Sequence, residues 1–263
     1  MTAAPHGGRR PPVETTVRAM VRATMRLQLH KDFTFADAAS LAPYLGALGV
    51  SHLYASPIFT ARPGSMHGYD VIDPTTVSAE LGGEAGLRQL VAALHRTGLG
   101  LIVDIVPNHM AVDGGDNAWW TDILRHGRAS RFASFFDIDW DCEENGLRGK
   151  VLAPFLGKPY GAALTEGEIR LVIDRNGIPS IRCGETPYLI DSLDFAEVTA
   201  AGAGAYDPAT AGGLGRLHRL LERQHYRLAW WGVAGDQINW RRFFDINGLA
   251  ALRMDVPAVF EAT

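Results

Sequence analysis

The stretch "GLIVDIVPNHMA", Gly100 to Ala111, decides the fold that we predict for this chain. Its first half is an apolar run broken only by an aspartate, as expected of a parallel β-strand that is covered on both faces. Asp104, Asn108 and His109 stand at the end of this run. Because sites in parallel α/β folds form at the carboxyl ends of strands, we expect a scaffold strand with a functional polar end.

The chain before this stretch alternates between strand-like and helix-like patterns. Thr34 is a plausible N-cap for the first helix, and Pro43 weakens the middle of that helix. The alternation is the βαβ signature of a parallel sheet. The predicted segments are a strand at 25–30, a helix at 34–50, a strand at 51–59, a helix at 82–99 and a strand at 100–106.

The regular alternation stops after His109. Residues 168–183 predict a hairpin that turns at Asn176-Gly177, within a region rich in turn residues. We therefore expect an insertion with its own β-structure. Further on, the sequence predicts a loop at 202–215 and an amphipathic helix at 214–231.

Composition excludes several classes of partner and site. The net charge is −4 and the basic residues are scattered, which does not indicate nucleic-acid binding. Two cysteines form neither a disulfide framework nor a metal-ligand spacing, and the acidic run at 137–144 lacks the spacing of an EF-hand calcium loop. No apolar run approaches the roughly 18 residues of a membrane span. We predict a soluble cytoplasmic protein with no nucleic-acid or membrane partner, no metal and no cofactor.

A second polar cluster, "GSMHGYDVIDP" at 64–74, follows the second strand. The ring of Tyr69 can stack on a pyranose, and His67 and Asp70 can donate or accept hydrogen bonds beside it. In isolation this cluster is equally a glycine-flanked loop anchored by a tyrosine, and "DIVPNH" is equally a turn. Two such clusters at successive strand ends of one sheet favour a site.

These motifs carry a family resemblance. "DIVPNH" resembles the first conserved region of the α-amylase superfamily, glycoside hydrolase family 13, and "HGYDV" resembles the segment that supplies its sugar-stacking tyrosine. Over its longer run, from Arg26 to Thr263, the chain resembles one family of that superfamily, the maltooligosyltrehalose synthases.

The resemblance implies a (β/α)8 TIM-barrel type catalytic domain, of which this chain is the N-terminal part, with a long insertion after the third strand. It also implies a role for each polar residue of the two clusters. Tyr69 would stack on the sugar, His67 and Asp70 would lie nearby, and His109 would bind its hydroxyls. Asp104 would orient the arginine that neighbours the nucleophile, and Asn108 would brace the loop.

The family's chemistry is retaining, with two carboxylates roughly 5 Å apart. In the synthases it is an intramolecular transglucosylation that converts the reducing-end α-1,4 bond of maltooligosaccharides to α,α-1,1. Two alternatives stay open from the sequence. One is another α-glucan hydrolase or transglucosylase of the superfamily, and the other is a non-catalytic α-glucan-binding protein.

The nucleophile would lie in a strand of the pattern G-x-R-x-D, and "ALRMDV" at 251–256 is the one candidate. The residues before Asp255 look helical, however, and this segment resembles the stretch that precedes the nucleophile strand. We therefore interpret Asp255 as not the nucleophile and expect the carboxylate pair beyond Thr263. On this interpretation the chain is an incomplete and inactive part of the enzyme.

The sequence thus predicts four regions but fixes neither the oligomeric state nor the preferred length of the substrate. The regions are a poorly ordered leader at 1–24, the first three βα units at 25–111, the insertion at 112–212 and a return to the barrel at 213–263.

Overall fold

The structure is a computed structural model that describes residues 20–263 of the 263-residue chain. The leader predicted at 1–24 therefore falls almost entirely outside the described residues. Residues 20–23 contain no helix or strand, and the strand that we predict from Met25 begins at Thr24.

Residues 24–111 contain the predicted order of strand, helix, strand, helix and strand, together with an antiparallel pair of strands at 59–61 and 71–77 that was not predicted. The strands are shorter than predicted. In chain order the elements are β1 (Thr24–Leu27), α1 (Phe35–Ser40), α2 (Ala42–Leu48), β2 (His52–Ala55), β3 (Phe59–Ala61), β4 (Val71–Val77), α3 (Gly83–Arg96), β5 (Gly100–Val103) and β6 (His109–Ala111).

Strands β1, β2 and β5 form a parallel sheet with β2 in the centre. Arg26, Tyr54 and Ile102 are Cα partners across the three strands, so their side chains occupy one layer of the sheet. Helices α1 and α3 share a hydrophobic core with this sheet, in which Phe35 and Leu53 are completely buried. The apolar faces of the helices therefore pack against the sheet, as their periodicity predicts.

The apolar opening stretch behaves differently from the prediction. All four residues of β5 are only half-buried, whereas three of the four residues of β2 are buried. The reason is that β5 is an edge strand, since no strand of residues 20–263 pairs with its outer side. Within these residues the parallel strands form an open sheet and not a closed barrel.

The helix predicted at 34–50 is divided in two. Thr34 begins α1 with a capping box to Asp37, and Leu41 separates α1 from α2. Pro43 explains the division, because it has no N–H to donate to the carbonyl four residues earlier. Gly49 ends α2 in the left-handed conformation, with φ of 85°.

Residues 112–263 contain the remaining elements. One hydrophobic core joins side chains from 112–212 with side chains from 213–263. The elements are α4 (Ala118–His126), β7 (Val151–Leu156), α5 (Tyr160–Thr165), β8 (Ile169–Ile173), β9 (Pro179–Cys183), β10 (Thr186–Leu189), α6 (Phe195–Ala201), α7 (Ala211–Arg223), β11 (Tyr226–Trp230), α8 (Ala234–Gln237), β12 (Arg242–Phe243), β13 (Ile246–Ala251) and α9 (Pro257–Ala262).

The predicted hairpin is confirmed. Strands β8 and β9 are antiparallel, with Ile173 opposite Pro179 at the closed end, and β10 extends the sheet. Gly177 lies in the turn with φ of 78°, a conformation that glycine adopts without strain.

The helix predicted at 214–231 is wrong in its second half, and the loop predicted at 202–215 is too long. The helix α7 already begins at Ala211 and ends at Arg223, and residues 226–230 form β11, which pairs in parallel with β7. In β11 the buried Tyr226 and Leu228 alternate with the half-buried Arg227, so these residues follow a period of two. Pairing with β7 therefore determines the structure of residues 226–230, although their sequence continues the helical pattern of α7.

The helical character expected before Asp255 is also wrong. Residues 246–251 form β13, which pairs antiparallel with β6, so that Ala251 lies opposite His109. Strand β12 adds to the other side of β13. This sheet brings a distant segment of the chain against the end of the opening stretch.

The longest described helix, α3, has 14 residues, and none in residues 20–263 combines the length and apolar character of a bilayer span.

The core contains one hydroxyl that we expect to be dispensable. The Tyr226 hydroxyl is buried and has no hydrogen-bond partner among the described residues. Burying a hydroxyl without a partner destabilises the folded state, because the hydroxyl loses its hydrogen bonds to water. Tyr226→Phe will therefore leave the free energy of unfolding unchanged or raise it by up to about 1 kcal/mol. Urea unfolding of both proteins measures the difference.

Asn239→Ala is the matched comparison. The buried amide of Asn239 accepts from the N–H of Leu152 and donates to the carbonyls of Asp139 and Lys150. Its removal leaves these groups unpaired and will cost at least about 2 kcal/mol. Equal losses in the two variants would contradict this account of the core.

Candidate functional site

The residues predicted from the two motifs converge on one cavity of about 600 Å³. Its walls come from the loop between β3 and β4 and from the segment that follows β5. Asp104 contacts it through Tyr69. The lining residues include His67, Tyr69, Asp70, Asn108 and His109, together with Arg62, Ile105, Val106, Pro107, Asp113, Phe243, Ile246, Gly248 and Leu249.

The hydroxyl of Tyr69 is held by two charged side chains. It donates to Asp104 Oδ2 at 2.5 Å and accepts from Arg26 Nη2 at 2.9 Å. The hydrogen bond to Asp104, followed by burial, raises the pKa of Tyr69, and the nearby Arg26 acts in the opposite direction. The phenol therefore stays protonated near neutral pH. The residue is 36% exposed and lines the cavity, so its side chain is accessible to a ligand.

His109 is buried, and both of its ring nitrogens are occupied. Nε2 lies 2.9 Å from the backbone carbonyl oxygen of Tyr69, and Nδ1 lies 2.8 Å from Oδ1 of Asn108. Burial lowers the pKa of His109, so the imidazole is neutral at pH 7 and has a single N–H. Both neighbouring oxygens can only accept, so the neutral ring donates to one of them. Asn108 and the backbone of Tyr69 each contact one nitrogen of His109, and together they hold its ring in place.

His67 and Asp70 are held by the loop that carries Tyr69. The backbone N–H of Tyr69 donates to His67 Nδ1 at 3.0 Å, so Nε2 of this half-exposed ring carries the N–H. Asp70 accepts a hydrogen bond of 2.5 Å from the hydroxyl of Ser65. His67 thus has a free donor, while Asp70 is already engaged.

Several contributors to the cavity were not predicted from the sequence, and Phe243, Arg62 and Arg26 are three of them. Phe243 stacks on His109 with the ring centroids 3.9 Å apart, and Arg62 forms an ion pair of 2.6 Å with Asp113. Arg26 is the third, through its contacts with Tyr69 and Asp104. Of these three, only Arg26 could have been found from the sequence, because the alternation of residues 25–30 places it on the polar face of the first strand.

Comparison with known proteins gives this geometry a context. Residues 39–155 match the alpha-amylase family, described as its catalytic domain. These residues therefore resemble part of an α-amylase catalytic domain. Both motif clusters of the cavity lie inside the matched residues.

Longer similarities extend beyond the matched residues of the α-amylase domain. A "putative maltooligosyl trehalose synthase" of Mycobacterium tuberculosis is 46% identical over 234 residues, covering 88% of this chain and 26% of that protein. A structure of maltooligosyltrehalose synthase from Arthrobacter ramosus superposes with a TM-score of 0.75 at 36% identity, over 92% of this chain and 28% of that one. A hypothetical maltooligosyl trehalose synthase of Sulfolobus tokodaii gives 0.72 at 34%, with 92% and 29% covered. This chain therefore spans about a quarter of the length of these relatives.

Asp255 does not line the cavity that contains Tyr69. It lines a second cavity of about 900 Å³, which shares Asn108 and Phe243 with the first. Its side chain is 64% exposed and forms two hydrogen bonds with Arg253, which lower its pKa. The prediction that Asp255 is not the nucleophile is not tested by this placement.

Residues 20–263 contain no cluster of three or more histidine, cysteine, aspartate or glutamate side chains arranged to hold a metal ion.

The loop that carries Tyr69 depends on Gly68. This residue has φ of 77°, and a Cβ there would lie 2.9 Å from the carbonyl oxygen of Pro57. Gly64 has almost the same φ, 76°, but a Cβ there would meet no atom within 4 Å. Both alanine variants share the left-handed strain, so Gly68→Ala will lower the thermal unfolding midpoint further than Gly64→Ala. Equal shifts would show that the contact with Pro57 is unimportant.

The buried His109 gives stability a pH dependence. Its pKa lies below the value of about 6.5 that it has in the unfolded chain, so the unfolded state binds more protons as the pH falls. The stabilisation is complete above about pH 6.5 and is lost as the pH falls toward the folded-state pKa. NMR titration of the imidazole gives that pKa directly.

Urea unfolding at about pH 7.5 and about pH 5 then gives the change in the free energy of unfolding between the two pH values. We expect this change to be smaller in His109→Gln, which lacks the contribution of His109. His95→Asn, which alters an exposed histidine of α3, is the control. A pH dependence that is unchanged in His109→Gln would contradict the prediction.

Proposed function

We propose that this chain provides the sugar-binding side of an α-amylase-type active site that acts on maltooligosaccharides. The reaction is the intramolecular transglucosylation that turns the α-1,4 bond at the reducing end into an α,α-1,1 bond. Support for the substrate and the reaction comes from the names of the relatives, and the cavity carries the proposal for this chain. The activity belongs to a protein that contains this chain together with the remainder of the catalytic domain.

The single observation that carries the proposal is the partly exposed Tyr69, which lines a cavity together with hydrogen-bonding side chains. Aromatic faces bind the C–H face of a pyranose, and the free Nε2–H of His67 can donate to a sugar hydroxyl beside it. A volume of about 600 Å³ fits one or two sugar rings.

His109 takes a modified role in this proposal. Its nitrogens are engaged by Tyr69 and Asn108, so a hydroxyl reaches His109 Nε2 only by sharing or replacing the bond to the Tyr69 carbonyl. We therefore assign His109 first to holding the sugar-stacking loop and second to contacting the sugar.

The carboxylates around the cavity are engaged in other contacts. Asp70 accepts from Ser65, Asp104 binds Tyr69 and Arg26, and Asp113 pairs with Arg62. We infer that the nucleophile and the general acid come from residues outside this wall. One carboxylate would attack the anomeric carbon while the other protonates the leaving oxygen, and the released glucose would then attack the intermediate through its anomeric hydroxyl.

This isomerisation consumes no redox equivalent, so the proposal includes no cofactor. We place the protein in the cytoplasm, which agrees with the unpaired state of Cys142 and Cys183. Residues 112–212 are kept as a proposed insertion, because the sheet β8–β9–β10 shares no strand pairing with β1, β2 and β5.

The test incubates the full-length gene product with maltopentaose and follows both reducing ends and chain length. Loss of reducing ends without shortening supports the proposal. Accumulating short reducing sugars would instead identify a hydrolase, and saturable binding without turnover would identify a glucan-binding protein.

Tyr69→Ala tests the cavity itself. We expect it to raise the dissociation constant for maltopentaose by roughly tenfold or more, since it removes the stacking surface. Tyr44→Ala removes a tyrosine that is 61% exposed on α2 and outside the cavity lining, so it is the matched control and will leave the constant unchanged. Equal effects of the two substitutions would place the sugar elsewhere.

A further inference from the structure

Arg26 joins three structural elements at the cavity end of the parallel sheet. It lies on β1, and its guanidinium carbon is 4.9 Å from the ring centroid of Tyr54 on β2. Nη1 is 3.3 Å from Asp104, just beyond β5, and Nη2 donates to the Tyr69 hydroxyl at 2.9 Å. The parallel register makes this possible, because Arg26 and Tyr54 are direct partners and Asp104 follows Ile102 of the same layer by two residues.

The residue that directly follows β1 supports the same loop. Gln28 Nε2 donates to the backbone carbonyl of His67 at 3.1 Å, and Gln28 Oε1 accepts from Arg26 Nη2 at 3.4 Å. Arg26 of β1 and the adjacent Gln28 thus hold the sugar-contacting loop at its backbone and at the end of the Tyr69 side chain.

We propose that Arg26 is a positioning residue, which fixes the orientation of the Tyr69 ring and keeps the Asp104 carboxylate in place for sugar binding. The role in sugar binding rests on the proposed function, whereas the contacts of Arg26 do not. Neither the family resemblance nor the motifs assign a role to this arginine.

The chemistry of these contacts favours arginine. A planar guanidinium can stack on the ring of Tyr54 while its edges donate to Tyr69 and Asp104. A lysine in the same place supplies one point charge and cannot make the three contacts together. The Arg26 side chain is 36% exposed, and ion pairs of that exposure contribute little to stability. Positioning therefore accounts for the arrangement better than stability does.

The first test measures how the Tyr69 phenol ionises. The groups that face this hydroxyl are Asp104 and Arg26, and the ring of His67 lies 6.0 Å from the Tyr69 ring. Asp104 raises the pKa of Tyr69 and Arg26 lowers it. We therefore expect opposite shifts, upward in Arg26→Gln and downward in Asp104→Asn.

Tyrosine-selective ¹³C NMR through an alkaline titration of the 263-residue protein provides the measurement, with Tyr69→Phe assigning the resonance. An unchanged Tyr69 titration in Arg26→Gln would overturn the proposal, because the guanidinium would then not reach the hydroxyl. General loosening of the fold would not produce shifts of opposite sign.

The second test measures maltopentaose binding to the same proteins. We expect Arg26→Gln to weaken binding by roughly tenfold, through the misplaced ring, with Arg26→Lys intermediate. Arg88→Gln is the matched control, since Arg88 lies on the exposed face of α3 and pairs with Glu84. Thermal unfolding of each variant identifies any that fails to fold, and the lysine variant then replaces the glutamine variant in both tests.

The two proposals fail in different ways. If the wild-type protein, alone and within the full-length gene product, binds no maltopentaose, the proposed function is wrong, and the tyrosine titration still tests the contact of Arg26. If the wild-type protein binds and Arg26→Gln binds equally well, the positioning role is wrong while the proposed function stands.

Discussion

The parallel register of β1, β2 and β5 is the constraint on which the cavity depends. Because Arg26, Tyr54 and Ile102 are aligned across the three strands, the residues that follow each strand emerge on one edge of the sheet. A shift of one residue in this register would turn Arg26 toward the helices, where the hydrophobic core leaves no place for a charge. The buried central strand β2 makes such a shift costly, so the packing of the core also fixes the position of the polar groups.

Most polar groups of the cavity act on one another. His109 is fixed by Asn108 and in turn holds the backbone of Tyr69, whose hydroxyl is held by Asp104 and Arg26. Such a chain of contacts keeps one aromatic ring in one orientation and leaves few groups free to transfer protons. This arrangement is expected of a preorganised binding site. Because the side chains are already ordered before the ligand binds, ordering them does not reduce the binding free energy.

Local sequence patterns predicted the part of the structure in which local interactions decide the outcome. The order of elements up to His109, the hairpin at Gly177 and the meeting of "HGYDV" with "DIVPNH" all follow from periodicity, turn chemistry and the rule for parallel strand ends. The helix expected through residue 231 failed because pairing with β7 determines residues 226–230, and that partner lies far away in sequence. Phe243 was not predicted because its contact also depends on strands that are distant in sequence. Only the pairing of β13 with β6 brings it onto His109.

The pairing of β6 with β13 also has a consequence for the order in which the cavity is built. Arg26, Tyr69, Asp104 and His109 belong to the first 109 residues, where the sheet and its three helices already share a core of their own. During synthesis this sheet and its helices can fold while the later residues are still being made. Phe243 joins the cavity afterwards, when β13 pairs with β6 and brings it onto His109. The cavity can therefore be assembled in two stages, the side chains of the parallel sheet first and the side that carries Phe243 second.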